Sequence, residues 1–257
     1  MAKKDKTRKK IRIIILAGGK GERMQSDLPK VLAEVKGKSM IEHLLEAVRK
    51  SGIDNRPVIV VGYGKEKVMA KLGKEYNYVI QNEQLGTGHA VMSAQELLEN
   101  KLGHVLVLYG DHSLVSTETI KKLTSKHLES GGKITMATAK LPDFKDWRAL
   151  FYKNFSRIVR DENDKIIKDV QFRDASEEEK KITEVNPCYF CFEAKWLWKK
   201  LKTLKNDNAQ KQYYLTDLVK LAIQEKIKIE SISISPEEAL GVNSKEELEI
   251  LERLMVK

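Results

Sequence analysis

The sequence predicts an α/β fold built on a mostly parallel sheet with helices on both faces. Three observations carry that expectation. Runs of β-branched and other apolar residues alternate with helix-period segments from residue 11 to residue 139. The first run, 11–16, is interrupted only by Arg12 and ends abruptly at Gly18-Gly19. Three polar stretches, 18–21, 81–88 and 109–111, each follow a strand, at the end where open α/β sheets hold ligands.

Residues 11–16 are short and β-branched enough for a buried strand. After the loop, Ser39 can cap a helix that carries Ile41, Leu44, Leu45 and Val48 on one face and stops near Gly52. Strands follow at 57–61, 78–80, 105–108 and 133–139. Helices are expected at 65–72, from the 81–90 segment to about Leu98, and at 117–128. The pattern then changes. Residues 141–174 are aromatic and charged, with short strands on either side of a turn at 161–164, which reads as a β-rich lobe. Residues 177–181 read as a charged surface turn, 185–192 as a strand and 195–204 as an amphipathic helix. Another helix is expected to begin within 212–217, and 226–234 alternates as a strand. Gly241-Val242-Asn243 precedes a last helix that reaches Lys257.

At 257 residues and 41% hydrophobic, the chain suits one large domain, or one domain with a small insertion. No apolar run approaches membrane-spanning length, and no signal-peptide pattern opens the chain, so a cytoplasmic protein is expected. Lys3, Lys4, Lys6, Arg8, Lys9 and Lys10 against Asp5 supply half of the formal net charge of +10. Residues 1–10 therefore read as a disordered, solvated basic tail rather than a nucleic-acid arm. Cys188 and Cys191 are spaced C-x-x-C within what reads as a strand, where residues three apart face opposite sides. With no histidine pair nearby, two reduced core or pocket thiols are expected rather than a zinc site.

The chemistry concentrates after the first strand. Gly18, Gly19 and Gly21 let the backbone turn tightly and present bare N–H groups, and Arg23 and Lys30 add two fixed cations on the same connection. Bare amides with two cations describe a triphosphate cradle. It is neither a P-loop, since no Gly-Lys-Ser/Thr follows at the right spacing, nor a dinucleotide fingerprint, since Arg23 and Met24 stand where the last glycine belongs.

LAGGKGERM followed by LPKVL resembles the signature of sugar-1-phosphate nucleotidyltransferases. QNEQLGTGHA, YGD, KITEVN, YYLTD and GVN then appear in the order found in bacterial N-acetylglucosamine-1-phosphate uridylyltransferases, and the similarity covers nearly the whole chain after the tail. The resemblance implies a Rossmann-like, mixed and mostly parallel sheet of the nucleotide-diphospho-sugar transferase type, with a small β-rich sugar-binding lobe. On that pattern residues 11–140 mainly bind nucleotide, 141–243 mainly bind sugar and 244–257 form a C-terminal helix. Two-domain members continue into a left-handed β-helix that acetylates glucosamine-1-phosphate. Because this sequence stops in the helix after Asn243, no acetyltransferase activity is expected of it.

The implied reaction transfers UMP from UTP to a sugar-1-phosphate and expels pyrophosphate, with Mg²⁺ as cofactor. The resemblance puts the triphosphate over Gly18, Gly19, Lys20 and Gly21, beside Leu16 and Ala17. It sets Arg23 near the leaving pyrophosphate, Lys30 between the phosphates of donor and acceptor, and Asp111 and Asn243 on the metal. Gln81 and Gln84, with Gly86 and Thr87, would take the nucleotide, because paired amides match the imide edge of uracil. His112 reads as packing rather than a ligand.

Tyr109, Gly110, Phe155, Ser156, Gln171, Glu184 and Asn186 would face the sugar. Here the sequence departs from the pattern. Asn154-Phe155-Ser156-Arg157-Ile158 stands for the usual Gly-Tyr-Gly-Arg-Ile, Gln171 aligns with a glutamate, and Asn186-Pro187-Cys188 replaces Asn-Thr-Gly. The segment before Asn154 is also several residues longer. N-acetylglucosamine-1-phosphate is the expected acceptor. A hexose-1-phosphate, N-acetylmuramic acid 1-phosphate, or a non-catalytic nucleotide-sugar-binding protein are the alternatives.

Overall fold

Alternation along the first strand sets the layers of the molecule. The computed structural model describes residues 10–99, 103–208 and 210–255. The reading of a basic tail at 1–10 therefore falls, but for Lys10, outside the described residues. Strand β1 (Ile11–Ala17) sends Ile13, Ile15 and Ala17 into one core and Ile14 and Leu16 into a second core on the opposite face. Helices Met40–Ser51 and Thr117–Ser130 cover the first core; Thr87–Ser93, Ala194–Leu201 and Asp217–Gln224 cover the second. Helices on both faces were expected from the sequence. Arg12 does not break the strand, because its Nε donates to Asp54 Oδ2 at 2.7 Å and the same oxygen accepts from Ile13 N at 2.9 Å.

β2 (Glu34–Val35) and β3 (Lys38–Ser39) form a separate small hairpin leading into the Met40–Ser51 helix, whose start carries a Ser39/Glu42 capping box. β4 (Val58–Val61), β5 (Asn77–Ile80) and β6 (His104–Tyr109) run parallel to β1 in the order β5-β4-β1-β6. Their carboxyl ends form one rim. β7 (Ile134–Lys140), β8 (Arg157–Arg160), β9 (Ile166–Val170), β10 (Glu184–Val185) and β11 (Phe190–Glu193) continue the sheet beyond β6 as β11-β7-β10-β8-β9. These neighbours are antiparallel, and β12 (Ile229–Ile234) lies parallel on the free side of β7. The sheet is mixed, parallel through its first half and antiparallel where the β-rich lobe was expected.

Three local expectations change. Residues 177–181 form a helical turn, not a bare turn, because Ser176 and Glu179 close a capping box around it. The strand expected at 185–192 is interrupted between β10 and β11. Pro187 has no N–H for the ladder and Cys188 adopts φ +69°, so the chain bulges before Tyr189 O accepts from Ala137 N at 3.0 Å. The helix expected within 212–217 begins only at Asp217, since the preceding residues pair with the loop before Thr87. The last helix, expected to reach Lys257, is Lys245–Leu254 with Met255 as its C-cap, and residues 256–257 lie outside the described residues.

Candidate active site

The glycine-rich loop leaves β1 at the carboxyl rim, and its geometry is tied to Lys30. Gly21 has φ +70°, and a Cβ there would lie 2.6 Å from the Lys30 Cβ. Lys30 opens a single helical turn, Lys30–Leu32, anchored by buried Val31 and Leu32. The side chain is only 13% exposed. Its backbone is therefore fixed by packing while the ammonium reaches across the rim.

There the Lys30 Nζ lies 2.5 Å from Asp111 Oδ2 and 2.6 Å from Asn243 Oδ1. Asp111 follows β6, and its carbonyl accepts from Val242 N at 3.2 Å, which ties the two loops together. Asn243 is held in turn by its N–H to the Glu247 carboxylate. Burial raises the Asp111 carboxyl, but the ammonium of Lys30, by its charge and its hydrogen bond, outweighs it and holds the group below the usual carboxylate range. Asp111 therefore stays ionised.

His112 stands behind Asp111. Tyr189 donates its one hydroxyl proton to Glu238 O at 2.6 Å, so the Nδ1–H of His112 donates to the Tyr189 oxygen. Burial, with Lys30 adding to it, lowers the His112 pKa despite Asp111. A neutral ring locked in one tautomer stands behind Asp111 and lines the second cavity described below.

Two hard oxygens, one carboxylate and one amide carbonyl, converge on a single cation. That donor set fits a hard divalent ion, which takes few protein ligands and completes its shell with phosphate and water oxygens. Among the described residues no cluster of three or more His, Cys, Asp or Glu side chains could hold a metal. Cys191 packs in the first core, while Cys188 faces the second core and the site described next.

Two cavities flank the Lys30–Asp111 pair. The first, of about 270 Å³, is walled by Leu16, Ala17, Gly18, Gly19, Gln81 and Gln84, together with Gly86 and Thr87. Gln81 donates its amide to Gly86 O and reaches His89 Nδ1, each at 3.1 Å, which leaves its Oε1 beside Gly18. Gly86 has φ +101°, and a Cβ there would lie 2.6 Å from Tyr213 O. That close approach lets Tyr213 N donate to Leu85 O at 2.7 Å and Leu215 N to Thr87 Oγ1 at 3.0 Å. Gln212 and Tyr214 thereby join the wall. Sequence reasoning missed both, having assigned their segment to the start of a helix.

The second cavity, of about 410 Å³, is bounded by Arg23, Phe155, Ser156, Gln171, Asn186 and Asn243, with Asn154 and Cys188 beside them. Lys30, Thr87, Tyr109 and Asp111 line both cavities. Four candidates lie outside them. Lys20 is exposed and faces Glu22 at 3.7 Å, and Gly21 supports Lys30. Gly110 is packed against Val31 and Ile41, where an added Cβ would lie 3.0 Å from Val31 Cγ1. Glu184 is engaged by Arg160, with Nη2 to Oε1 at 2.7 Å. Burial raises the Glu184 carboxyl and this arginine overcomes it, so the group is a charged half of an ion pair. Asp169 was missed entirely: it is 4% exposed and accepts from Asn186 Nδ2 at 2.8 Å.

Residues 13–219 match the MobA-like NTP transferase domain. The chain is also similar to the bifunctional protein GlmU of Brevibacillus brevis, 41% identical over 249 residues, 96% of this chain and 52% of that protein. The bifunctional protein GlmU of Clostridium novyi is 41% identical over 244 residues, 94% of this chain and 51% of its own length. That of Caldanaerobacter subterraneus is 40% identical over 242 residues, again 94% and 51%. The chain spans about half the length of these curated relatives. Enzymes of this kind generally use a divalent metal, in keeping with the paired oxygens at Asp111 and Asn243. No helix among the described residues is long and apolar enough to cross a membrane. By a match over most of its length, the chain belongs to the MobA-like NTP transferase domain family and is a nucleotidyltransferase.

Proposed function

We propose that the chain transfers UMP from UTP to N-acetylglucosamine-1-phosphate, forming UDP-N-acetylglucosamine and releasing pyrophosphate, with Mg²⁺ as its ion. One observation carries the reading: two cavities share a wall made of Lys30, Thr87, Tyr109 and Asp111. A donor nucleotide in one and an acceptor phosphate in the other would meet at that wall. In this reading residues 11–140 mainly bind nucleotide and 141–243 mainly bind sugar. The enzyme works in the cytoplasm, where it meets both substrates.

An oxygen of the sugar-1-phosphate attacks the α-phosphorus of UTP. A P–O bond forms there while the bond to the β-phosphate oxygen breaks, and pyrophosphate leaves with that electron pair. The nucleophile is already an anion, so no general base is required. Positioning and charge neutralisation carry the rate. Lys30 neutralises the facing phosphates, Arg23 the departing pyrophosphate, and the loop amides at Gly18 and Gly19 hold the triphosphate. Asp111 and Asn243 would hold Mg²⁺, which supplies charge neutralisation on phosphate oxygens when bound. Gln81, its amide committed to Gly86 and His89, offers Oε1 to the imide N–H of uracil.

A second reading keeps the chemistry and changes the sugar, because Phe155, Ser156, Gln171 and Cys188 give the acceptor wall an unusual composition. Pyrophosphate release from UTP and Mg²⁺ across a panel of sugar-1-phosphates separates the two. Fastest release with N-acetylglucosamine-1-phosphate is expected. Release only with another sugar would transfer the assignment to it, and silence with UTP still bound would leave a binding protein.

A further inference from the structure

Asp169 is an ionisable group in a place where an apolar residue would be cheaper to bury. It lies on β9 with neighbours that fix it closely. Its Oδ2 accepts from Asn186 Nδ2 at 2.8 Å, and its Oδ1 has no partner at hydrogen-bond geometry among the described residues. Burial pushes the carboxyl up to about 6, while the Ser156 hydroxyl, the Asn186 amide and Lys220 pull it down and Asp217 opposes them. Lys220 and Asp217 approach from the Asp217–Gln224 helix, and the neutral thiol of Cys188 from the bulge. A buried carboxylate so placed adds little to stability. Its geometry points to another duty.

That duty runs through Asn186, itself 1% exposed. The amide has two unlike ends and two unlike partners. Its nitrogen donates to Asp169, and its oxygen accepts from Cys188 N at 2.7 Å. Exchanging the ends would set a carbonyl against a carboxylate and an NH₂ against an N–H, so only one orientation is tolerated. The same bond to Cys188 holds that residue at φ +69°, a conformation non-glycine residues seldom adopt. Asn186 and Cys188 both line the acceptor cavity. The second Nδ2 hydrogen of Asn186 is left to donate.

Resting on the acceptor reading above, we propose that Asp169 is a positioning residue: by holding the Asn186 amide in one orientation, it sets affinity for the sugar-1-phosphate without touching the nucleotide. Apolar replacement should damage acceptor binding alone. An amide replacement should be milder, because its carbonyl still accepts from Asn186 but without charge assistance.

The test is steady-state pyrophosphate release with UTP, Mg²⁺ and N-acetylglucosamine-1-phosphate for the unaltered chain, Asp169→Leu and Asp169→Asn. At pH 8, Asp169→Leu should raise the acceptor KM at least about tenfold and the UTP KM less than about twofold, with no fall in melting temperature. Asp169→Asn should raise the acceptor KM by about threefold. The ratio of its acceptor KM to that of the unaltered chain should approach one below pH 6, where the carboxyl is neutral; the ratio cancels the phosphate's own titration. In an Asn186→Ala background, Asp169→Leu should add less than about twofold. An unmoved acceptor KM in Asp169→Leu, or equal rises for both substrates, would overturn the role of Asp169 while leaving the transferase reading intact. An unaltered chain that releases no pyrophosphate with any sugar-1-phosphate would overturn that reading, and this one with it.

Discussion

Lys30 and Asp111 meet at 2.5 Å across the carboxyl rim of the sheet, although 81 residues separate them in sequence. Asn243 closes the group from a third loop at 2.6 Å. One ammonium thus sits against both oxygens that would face a divalent ion, and the two cavities that share Lys30 and Asp111 meet beside it.

Removing that ammonium should cripple transfer. Lys30→Met keeps the stem and deletes the charge, so kcat should fall at least about a hundredfold, as loss of a charge-stabilising donor commonly does. Asp111→Asn should do the same. Initial-rate measurement of pyrophosphate release checks both, and near-normal turnover in either would remove Lys30 and Asp111 from the mechanism.

The same geometry predicts competition for the cation position. Two positive charges cannot share Asp111 Oδ2 and Asn243 Oδ1 without strong repulsion. Lys30→Met should therefore bind Mn²⁺ more tightly than the unaltered chain in the absence of nucleotide, by about tenfold, and Asp111→Asn should lose that binding. Electron paramagnetic resonance of free Mn²⁺ reads it without turnover. Equal affinity in the Lys30 variant would contradict the overlap.

Base choice should depend on Gln81. In the proposed reading its Oε1 would accept from an imide N–H that cytosine lacks, so Gln81→Ala should lower kcat/KM for UTP about tenfold or more and affect CTP less. Parallel kinetics with the two nucleotides decide this. A uniform loss for both would assign Gln81 to loop structure alone.

Acid stability should show two opposed groups. Asp169 titrates near 6 in the fold against an ordinary 3.8, raised chiefly by burial, so it favours the fold below about pH 4, and that contribution is lost as pH rises through 6. His127 is lowered from 6.5 to about 4, chiefly by burial with His104 beside it. It favours the fold above 6.5, and that contribution is lost as pH falls through 4. Each amounts to about 3 kcal/mol. In Asp169→Asn the His127 contribution stands uncompensated, so denaturant unfolding between pH 7 and 4 should lose stability more steeply than in the unaltered chain. Parallel curves would show that Asp169 does not carry its proton in the fold.

Much of the nucleotide half was legible because it is local. β1, its glycine break and the strands ending at Ile80 and Tyr109 are contiguous stretches whose patterning and strand-end position agree. The acceptor half was less so, because it is assembled from distant pieces. The alternation from Val185 to Phe192 reads as one strand, and only Pro187 hints at the bulge that turns Cys188 toward the cavity. Asp169 sits in Ile-Ile-Lys-Asp-Val, which reads as a half-solvated strand, but the distant Asp217–Gln224 helix packs on β9 and Asn186 bonds its carboxylate. Glu184 lies inside a recognisable motif, yet Arg160 claims it by a contact that sequence does not announce. Ser176 and Glu179, by contrast, were a visible capping box that charge density obscured.

In the proposed reaction one nucleotide and one acceptor meet across the Lys30–Asp111 wall and react with no covalent enzyme intermediate. Exchange of labelled pyrophosphate into UTP, with Mg²⁺ and with or without N-acetylglucosamine-1-phosphate, distinguishes this route. Label should enter UTP only when the sugar phosphate is present, because pyrophosphate then returns through the nucleotide sugar. Label entering without it would reveal a uridylylated enzyme, and no label under either condition would contradict transfer to this acceptor.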